Sequence, residues 1–259
     1  MERDEADRLH EGLRRSFAEV CRRVEGARLE ERVGYRLVVC PQIPFPGFNG
    51  IWADGPDESA AVRELERAIE AADKQGLPFW VEARAGRTPA IERAARGLGL
   101  THEDAIPGMV VRHDELAIVS GPELEITRVE DEAELAVATS VVAAGFEARR
   151  GPFAALLNPR VAALPGLSIY VARAGGRPVS TALAWIGDGS IGIFNVATPP
   201  EYRGRGYGRA VTEKAVIEGF AAGADLAWLQ ASPLGEPVYR AMGFRHVEMY
   251  LVLGRPTAN

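Results

Sequence analysis

The sequence predicts an α/β protein built of two similar halves. Three observations carry this. Stretches with the two-residue alternation of strands and stretches with the helical apolar spacing follow one another along the chain. Three segments of the first half recur, in the same order, in the second. A length of 259 residues, at about 150 per domain, fits one large domain or two small ones.

The elements follow in order. Leu9, Leu13, Phe17, Val20, Cys21 and Val24 recur at helical spacing among charges, so the first 25 residues read as a helix covering a sheet. A strand is expected over 34–40. The proline-rich 41–47 is unsuited to a sheet interior, and a short strand follows over 48–53. Asp54-Gly55-Pro56-Asp57 supplies a turn and a helix cap. A helix at 60–72, a strand at 79–83, a helix at 89–96 and a strand at 108–112 complete the first half. Residues 114–122 read as the passage between halves, which places the boundary at 118/119. The second half restarts with a strand at 124–127, a helix at 131–144 and another helix at 152–164. Strands at 168–173 and 179–185 flank Gly175-Gly176, a hairpin signal, and Asp188-Gly189 marks a second hairpin turn before a strand at 191–197. A helix at 206–221, a strand at 226–231, a helix at 236–242 and a strand at 247–253 end the chain.

Composition excludes several classes. Hydrophobic residues make up 47% and charged residues 25%, which is ordinary for a globular chain and not for a disordered one. No apolar run is long enough for a membrane span, and no apolar signal segment follows the first charged residues. The net charge of −6 argues against general nucleic-acid binding. Only Lys74 and Lys214 are lysines, a bias that suggests a GC-rich bacterial genome. Cys21 and Cys40 cannot form a disulfide framework, and the four histidines do not fall at metal-ligand spacing. The expectation is a cytoplasmic protein with no metal.

The halves echo one another. Phe48-Asn49-Gly50-Ile51 resembles Phe194-Asn195-Val196-Ala197. Phe79-Trp80-Val81-Glu82-Ala83 resembles Ala227-Trp228-Leu229-Gln230-Ala231. Arg96-Gly97-Leu98-Gly99-Leu100 resembles Arg240-Ala241-Met242-Gly243-Phe244. Repetition in fixed order points to duplication.

The stretch that carries chemistry is Asn195 to Arg209. It follows an expected strand and opens an expected helix. Gly204, Gly206 and Gly208 free the backbone to turn, so that successive N–H groups can converge on one anion. The helix start adds unpaired N–H groups and the positive dipole end. Arg203, Arg205 and Arg209 add charge-assisted hydrogen bonds. These features define a pyrophosphate cradle. The Walker pattern fails because Tyr207-Gly208 follows Gly206, and the dinucleotide pattern fails because Arg209 and Val211 stand where a final glycine belongs.

Arg203-Gly204-Arg205-Gly206-Tyr207-Gly208 resembles the R/Q-x-x-G-x-G/A motif of the GCN5-related N-acetyltransferases (GNAT). Tyr239-Arg240-Ala241-Met242-Gly243-Phe244 resembles that family's second motif. The resemblance covers about residues 124 to 253. It implies two tandem GNAT-like domains, 1–118 and 119–259, with mixed, mostly antiparallel sheets flanked by helices. It also implies acetyl-coenzyme A as co-substrate. The strand backbone of Asn195, Val196, Ala197 and Thr198 would hold the pantetheine arm. The cradle would hold the pyrophosphate, and Ser232, where many relatives have asparagine, would also bind the coenzyme. Tyr239 would lie near the thioester sulfur.

The chemistry suits these parts. An amine attacks the thioester carbonyl, a backbone N–H at a strand bulge stabilises the oxyanion, and a tyrosine protonates the leaving thiolate. Tyr239 is either that acid or a core aromatic anchoring a helix. Many relatives carry a glutamate on the strand before the cradle as base, and 191–197 has no carboxylate. Glu147 is one candidate base, although a solvated loop carboxylate beside Arg149 and Arg150 explains it as well. A water held by Asn195, or no dedicated base, are the alternatives.

The first half has acids at 54–59 where the cradle would need arginines. Aligning Gly99 with Gly243 puts Ala95 at the Tyr239 position. The expectation is therefore a degenerate first half and an active second half that acetylates an amine, with a small molecule as the acceptor. Such a protein needs neither nucleic acid nor membrane and is compatible with a homodimer. The rival expectation is a non-catalytic acyl-coenzyme A binding or sensing module.

Overall fold

The computed structural model describes residues 4–53, 58–119 and 121–255, so the turn and cap expected at 54–57 lie outside the described residues. In chain order the elements are α1 (Glu5–Cys21), β1 (Arg28–Arg32), β2 (Tyr35–Val39), β3 (Asn49–Ala53), α2 (Ser59–Lys74), β4 (Trp80–Arg84), α3 (Pro89–Gly97) and β5 (His102–Arg112). Then come β6 (Glu125–Arg128), α4 (Glu132–Gly145), α5 (Arg150–Leu156), α6 (Pro159–Ala162), β7 (Leu167–Ala174), β8 (Arg177–Gly187) and β9 (Ser190–Ala197). The chain continues through α7 (Tyr207–Ala221), β10 (Leu226–Gln230), α8 (Glu236–Arg240) and β11 (Arg245–Gly254). The strand pairs are mostly antiparallel; β3 with β4 and β9 with β10 are parallel.

Three expectations are corrected. The single helix expected at 152–164 is two short helices. Pro159 has no N–H to continue the first, and the Asn158 side chain caps the second by accepting from the N–H groups of Arg160 (2.9 Å) and Val161 (3.1 Å). Strand β1, Arg-Leu-Glu-Glu-Arg, was not expected, because its charges hide the strand pattern on an edge. Strand β5 begins at His102, well before the expected 108.

The chain forms two compact units, and each contains a segment from the far end of the chain. One comprises residues 1–19 and 108–247, the other 20–107 and 248–259. The expected boundary at 118/119 falls inside the first of these. In the unit of the second half the strand order is β5-β10-β9-β8-β7-β6, with residues 108–112 of β5 antiparallel to β10. Its core joins Ile191, Ile193, Ala227 and Leu229 of the sheet to Val211, Ala215, Val216 and Phe220 of α7. In the other unit the order is β1-β2-β3-β4-β11, with Tyr250–Gly254 antiparallel to Trp80–Arg84. Its core joins Ile51, Val81 and Leu253 to Leu65, Ile69 and Ile91 of α2 and α3.

The geometry supports the repeat and corrects its register. Leu100 N–H bonds to Ala95 O as Phe244 N–H bonds to Tyr239 O, each at 3.0 Å, so Ala95 does stand where Tyr239 stands. Gly50 lies opposite Trp80, and Gly192 opposite Trp228. A Cβ on Gly50 would meet Trp80 Cδ1 at 2.7 Å, and one on Gly192 would meet Trp228 ring carbons at 2.5 Å. Gly50 therefore matches Gly192, and Asn49 does not match Asn195. The Asn49 side chain is instead buried, accepting from Cys40 N–H (2.8 Å) and donating to Ile43 O (2.9 Å).

Candidate active site

The site begins where β9 leaves its neighbours. Towards β10 the parallel pairing stops at Gly192 and Trp228, so the two strands splay beyond it. The wedge has a structural cause: the Trp228 indole packs over Gly192, meets Phe194 edge to face at 5.3 Å and donates to Ser190 Oγ at 3.1 Å. Towards β8 the register passes from Leu183–Phe194 to Thr181–Ala197, so Ala182 faces both Asn195 and Val196. This is a β-bulge, and Asn195 takes φ +48°, a left-handed conformation that asparagine tolerates better than most residues. Backbone groups of β9 beyond Ile193 thus face an open edge. Val196 and Ala197 pack into the core, and the Thr198 hydroxyl lies 3.0 Å from the buried Ser180 Oγ, which donates to Ala197 O.

After Thr198 a short 3-10 turn, Pro200–Tyr202, leads into the cradle. Gly204 and Gly206 take φ +75° and +79°, and Gly206 is the N-cap of α7 without any side chain to cap it. The earliest bond at this helix start is Ala210 N–H to Gly206 O (3.0 Å), so the preceding N–H groups, including those of Tyr207, Gly208 and Arg209, are left for an anion. A Cβ at Gly208 would stand 3.3 Å from Thr198 Oγ1, which explains a small residue there. The cradle is exposed from Arg203 to Gly206.

The arginines divide. Arg203 donates to Gly145 O (2.7 Å) and Thr198 O (3.2 Å) and pairs with Glu147 at 3.0 Å, tying the end of α4 to the cradle. Arg209 donates to Ala117 O at 2.8 Å. Arg205 makes one backbone bond, to Glu201 O at 3.2 Å, and its guanidinium lies 6.0 Å over the Tyr202 ring. It is the arginine least committed to the fold. Glu147 sits at φ +53° in an exposed turn with its carboxylate on Arg203.

Tyr239 is buried on α8, with its ring 5.8 Å from that of Phe244. A Cβ on Gly235 would meet Tyr239 Cε2 at 2.8 Å and Ser232 Oγ at 3.4 Å, which puts the ring beside Ser232. Ser232 Oγ accepts from Gly235 N–H at 3.2 Å, closing the turn that precedes α8. Burial pushes the Tyr239 hydroxyl up to about 12, so it stays protonated across physiological pH.

Two glycines shape the site: Gly145, which the sequence did not single out, and Gly243, which belongs to the second motif. A Cβ on Gly145 would meet Ala197 Cβ at 2.7 Å and Thr198 N at 3.0 Å, so only glycine lets α4 approach β9 this closely. Gly243 has φ +94° and its Cβ position lies 2.2 Å from Glu115 O. Among the described residues, no group of three His, Cys, Asp or Glu side chains could hold a metal, and no helix is long and apolar enough to cross a membrane.

Comparison with known proteins agrees with the geometry. Residues 165–246 match the family model described as an acetyltransferase (GNAT) domain. A search of curated proteins returns no significant match. Among solved structures, a GCN5-related N-acetyltransferase from Kribbella flavida superposes with a TM-score of 0.74 at 20% identity, over 99% of this chain and 98% of its own. One from Sphaerobacter thermophilus gives 0.64 at 15% identity, over 99% and 94%. A tandem GNAT protein from the clavulanic acid biosynthesis pathway gives 0.56 at 14% identity, over 87% and 79%. The fold is that of the GNAT acetyltransferases, and one of the proteins sharing it is a tandem.

Proposed function

We propose that the second half transfers the acetyl group of acetyl-coenzyme A directly to an amine, with a small molecule as acceptor. One observation carries this: an uncapped helix start behind two left-handed glycines follows a bulged, splayed strand end. The cradle suits the pyrophosphate by its convergent N–H groups, with Arg205 adding charge. The open edge of β9 offers backbone hydrogen bonds to the pantetheine amides. Asn195 and Val196, facing one residue of β8 between them, put an N–H within the wedge for the thioester oxygen.

On this reading Tyr239, whose ring lies beside Ser232 just past the end of β10, would face the wedge from the β10 side. With its hydroxyl near 12 and a thiol near 8.5, outright proton transfer to the thiolate is uphill by about 5 kcal/mol. The hydroxyl therefore serves as a hydrogen-bond donor to the sulfur as charge develops there. Glu147 binds Arg203 and contributes to holding the cradle; the amine loses its proton to water. The first half, with Ala95 at the tyrosine position, contributes structure and binds no coenzyme A. The test is thiol release from acetyl-coenzyme A with a panel of amines. Release with at least one amine is expected. Tight binding without release from any amine would make the protein a binding module instead.

A further inference from the structure

The segment that follows β5, where the sequence placed the passage between halves, is fastened to the site at several points. The Glu115 side chain accepts from Arg112 N–H at 3.0 Å, and Glu115 O occupies the space that a Cβ on Gly243 would need. Ala117 N–H donates to Met242 O at 3.0 Å, and Ala117 O accepts from the Arg209 guanidinium at 2.8 Å. Further on, Pro122 Cδ lies 3.5 Å from the Cβ position of Gly206, and the Cβ position of Gly121 lies 3.9 Å from Ala210 Cβ. Both ends of a short stretch are thus pinned to the first turn of α7. Between the pins, Ile118 and Val119 are 64% and 53% exposed.

Two exposed aliphatic side chains next to Ala117, which is held by Met242 and Arg209 beside the anion cradle, offer an apolar face to the part of a ligand that extends from a bound anion. Resting on the acetyl-coenzyme A reading, we propose that Ile118 and Val119 form the platform on which the adenine of the coenzyme lies. The reach fits. Two residues span at most about 7 Å of backbone, so both side chains stay within roughly one nucleoside of the cradle. The pinning matters energetically, because a backbone already ordered loses little entropy when ligand binds. This segment thereby serves as one wall of the nucleotide subsite.

The test uses the full chain and two ligands, acetyl-coenzyme A and S-acetyl-4′-phosphopantetheine, which keeps the thioester arm and lacks the adenosine. Calorimetric titration of the double variant Ile118→Ser/Val119→Ser should show acetyl-coenzyme A weakened about tenfold or more. The affinity for S-acetyl-4′-phosphopantetheine should stay within about twofold of wild type. Because both side chains are exposed, the melting temperature should hold. The near-isosteric Val119→Thr gives a second, milder variant with the same selective direction. Equal losses for both ligands, or none for either, would overturn the platform while leaving the acetyl-coenzyme A reading intact. Failure of the wild-type protein to bind acetyl-coenzyme A would overturn both.

Discussion

Replacing Arg203 by alanine separates two roles that an arginine in a phosphate loop can play. From its motif alone, Arg203 would be a direct counter-charge for pyrophosphate. In the structure its guanidinium holds Gly145 O and Thr198 O and pairs with Glu147. Two backbone hydrogen bonds contribute about 0.5–1.5 kcal/mol each, and the surface ion pair adds at most about 1 kcal/mol. With 38% of the side chain exposed, the lower half of that range applies, roughly 1–2 kcal/mol. For a chain of this size the melting temperature should fall by about 2–8 °C in calorimetry. Untying the end of α4 from Thr198 also loosens the cradle, so titration should show acetyl-coenzyme A weakened about tenfold, near 1.4 kcal/mol. Glu147→Gln keeps both backbone bonds and should change stability and affinity little. If Arg203→Ala lost affinity with an unchanged melting temperature, and the loss shrank with added salt, Arg203 would be a phosphate contact and the tie would be irrelevant.

Other outcomes follow from the same geometry. Arg205→Ala, which removes a weakly committed guanidinium, should weaken acetyl-coenzyme A by about 1.5–3 kcal/mol in titration without moving the melting temperature. Tyr239→Phe, which removes one preorganised hydrogen-bond donor, should lower kcat on the order of 10²-fold with little change in KM, and full turnover in the variant would make the tyrosine structural. The raised Tyr239 hydroxyl also sets a pH window: its contribution to stability is complete below about pH 10 and is lost as pH climbs through about 12, readable as a drop in melting temperature in wild type that Tyr239→Phe lacks. Gly243→Ala must adopt φ +94° and displace Glu115 O, so a loss of about 2 kcal/mol or more is expected in denaturant titration. Residues 119–259 expressed alone lack the strand segment that pairs with β10 and the helix whose Gly12 lies against Trp228, and should aggregate in size-exclusion chromatography.

The cradle was legible because its glycines and arginines are adjacent in sequence, and a left-handed turn into a helix is a local event. The Tyr239–Ala95 correspondence was legible for the same reason: the glycine four residues on closes the same local turn. The bulge at Asn195 was foreshadowed only as a chemical need, since its position depends on the register against β8. The match of Asn49 with Asn195 rested on a shared Phe-Asn, whereas the true correspondence is a glycine facing a tryptophan across a parallel pair. The role of Arg203 was hidden because its main acceptor, Gly145 O, lies 58 residues away. Which strand covers β10 could not be read at all, because an alternating pattern describes a strand's faces and says nothing of its edges.

Strand β11 completes the sheet that begins with β1, and this places a condition on synthesis. The ribosome releases β4 early, yet Tyr250–Gly254, its antiparallel partner, emerges only after the strands of the other unit have been made. At about 5–20 residues per second the edge of β4 waits on the order of ten to thirty seconds for that partner. The first half therefore cannot finish folding before β11 is made, and the edge of β4 is a template for wrong pairing until then. Truncation near the C-terminus would strike the half made first, and the cradle-bearing half would keep its own strands.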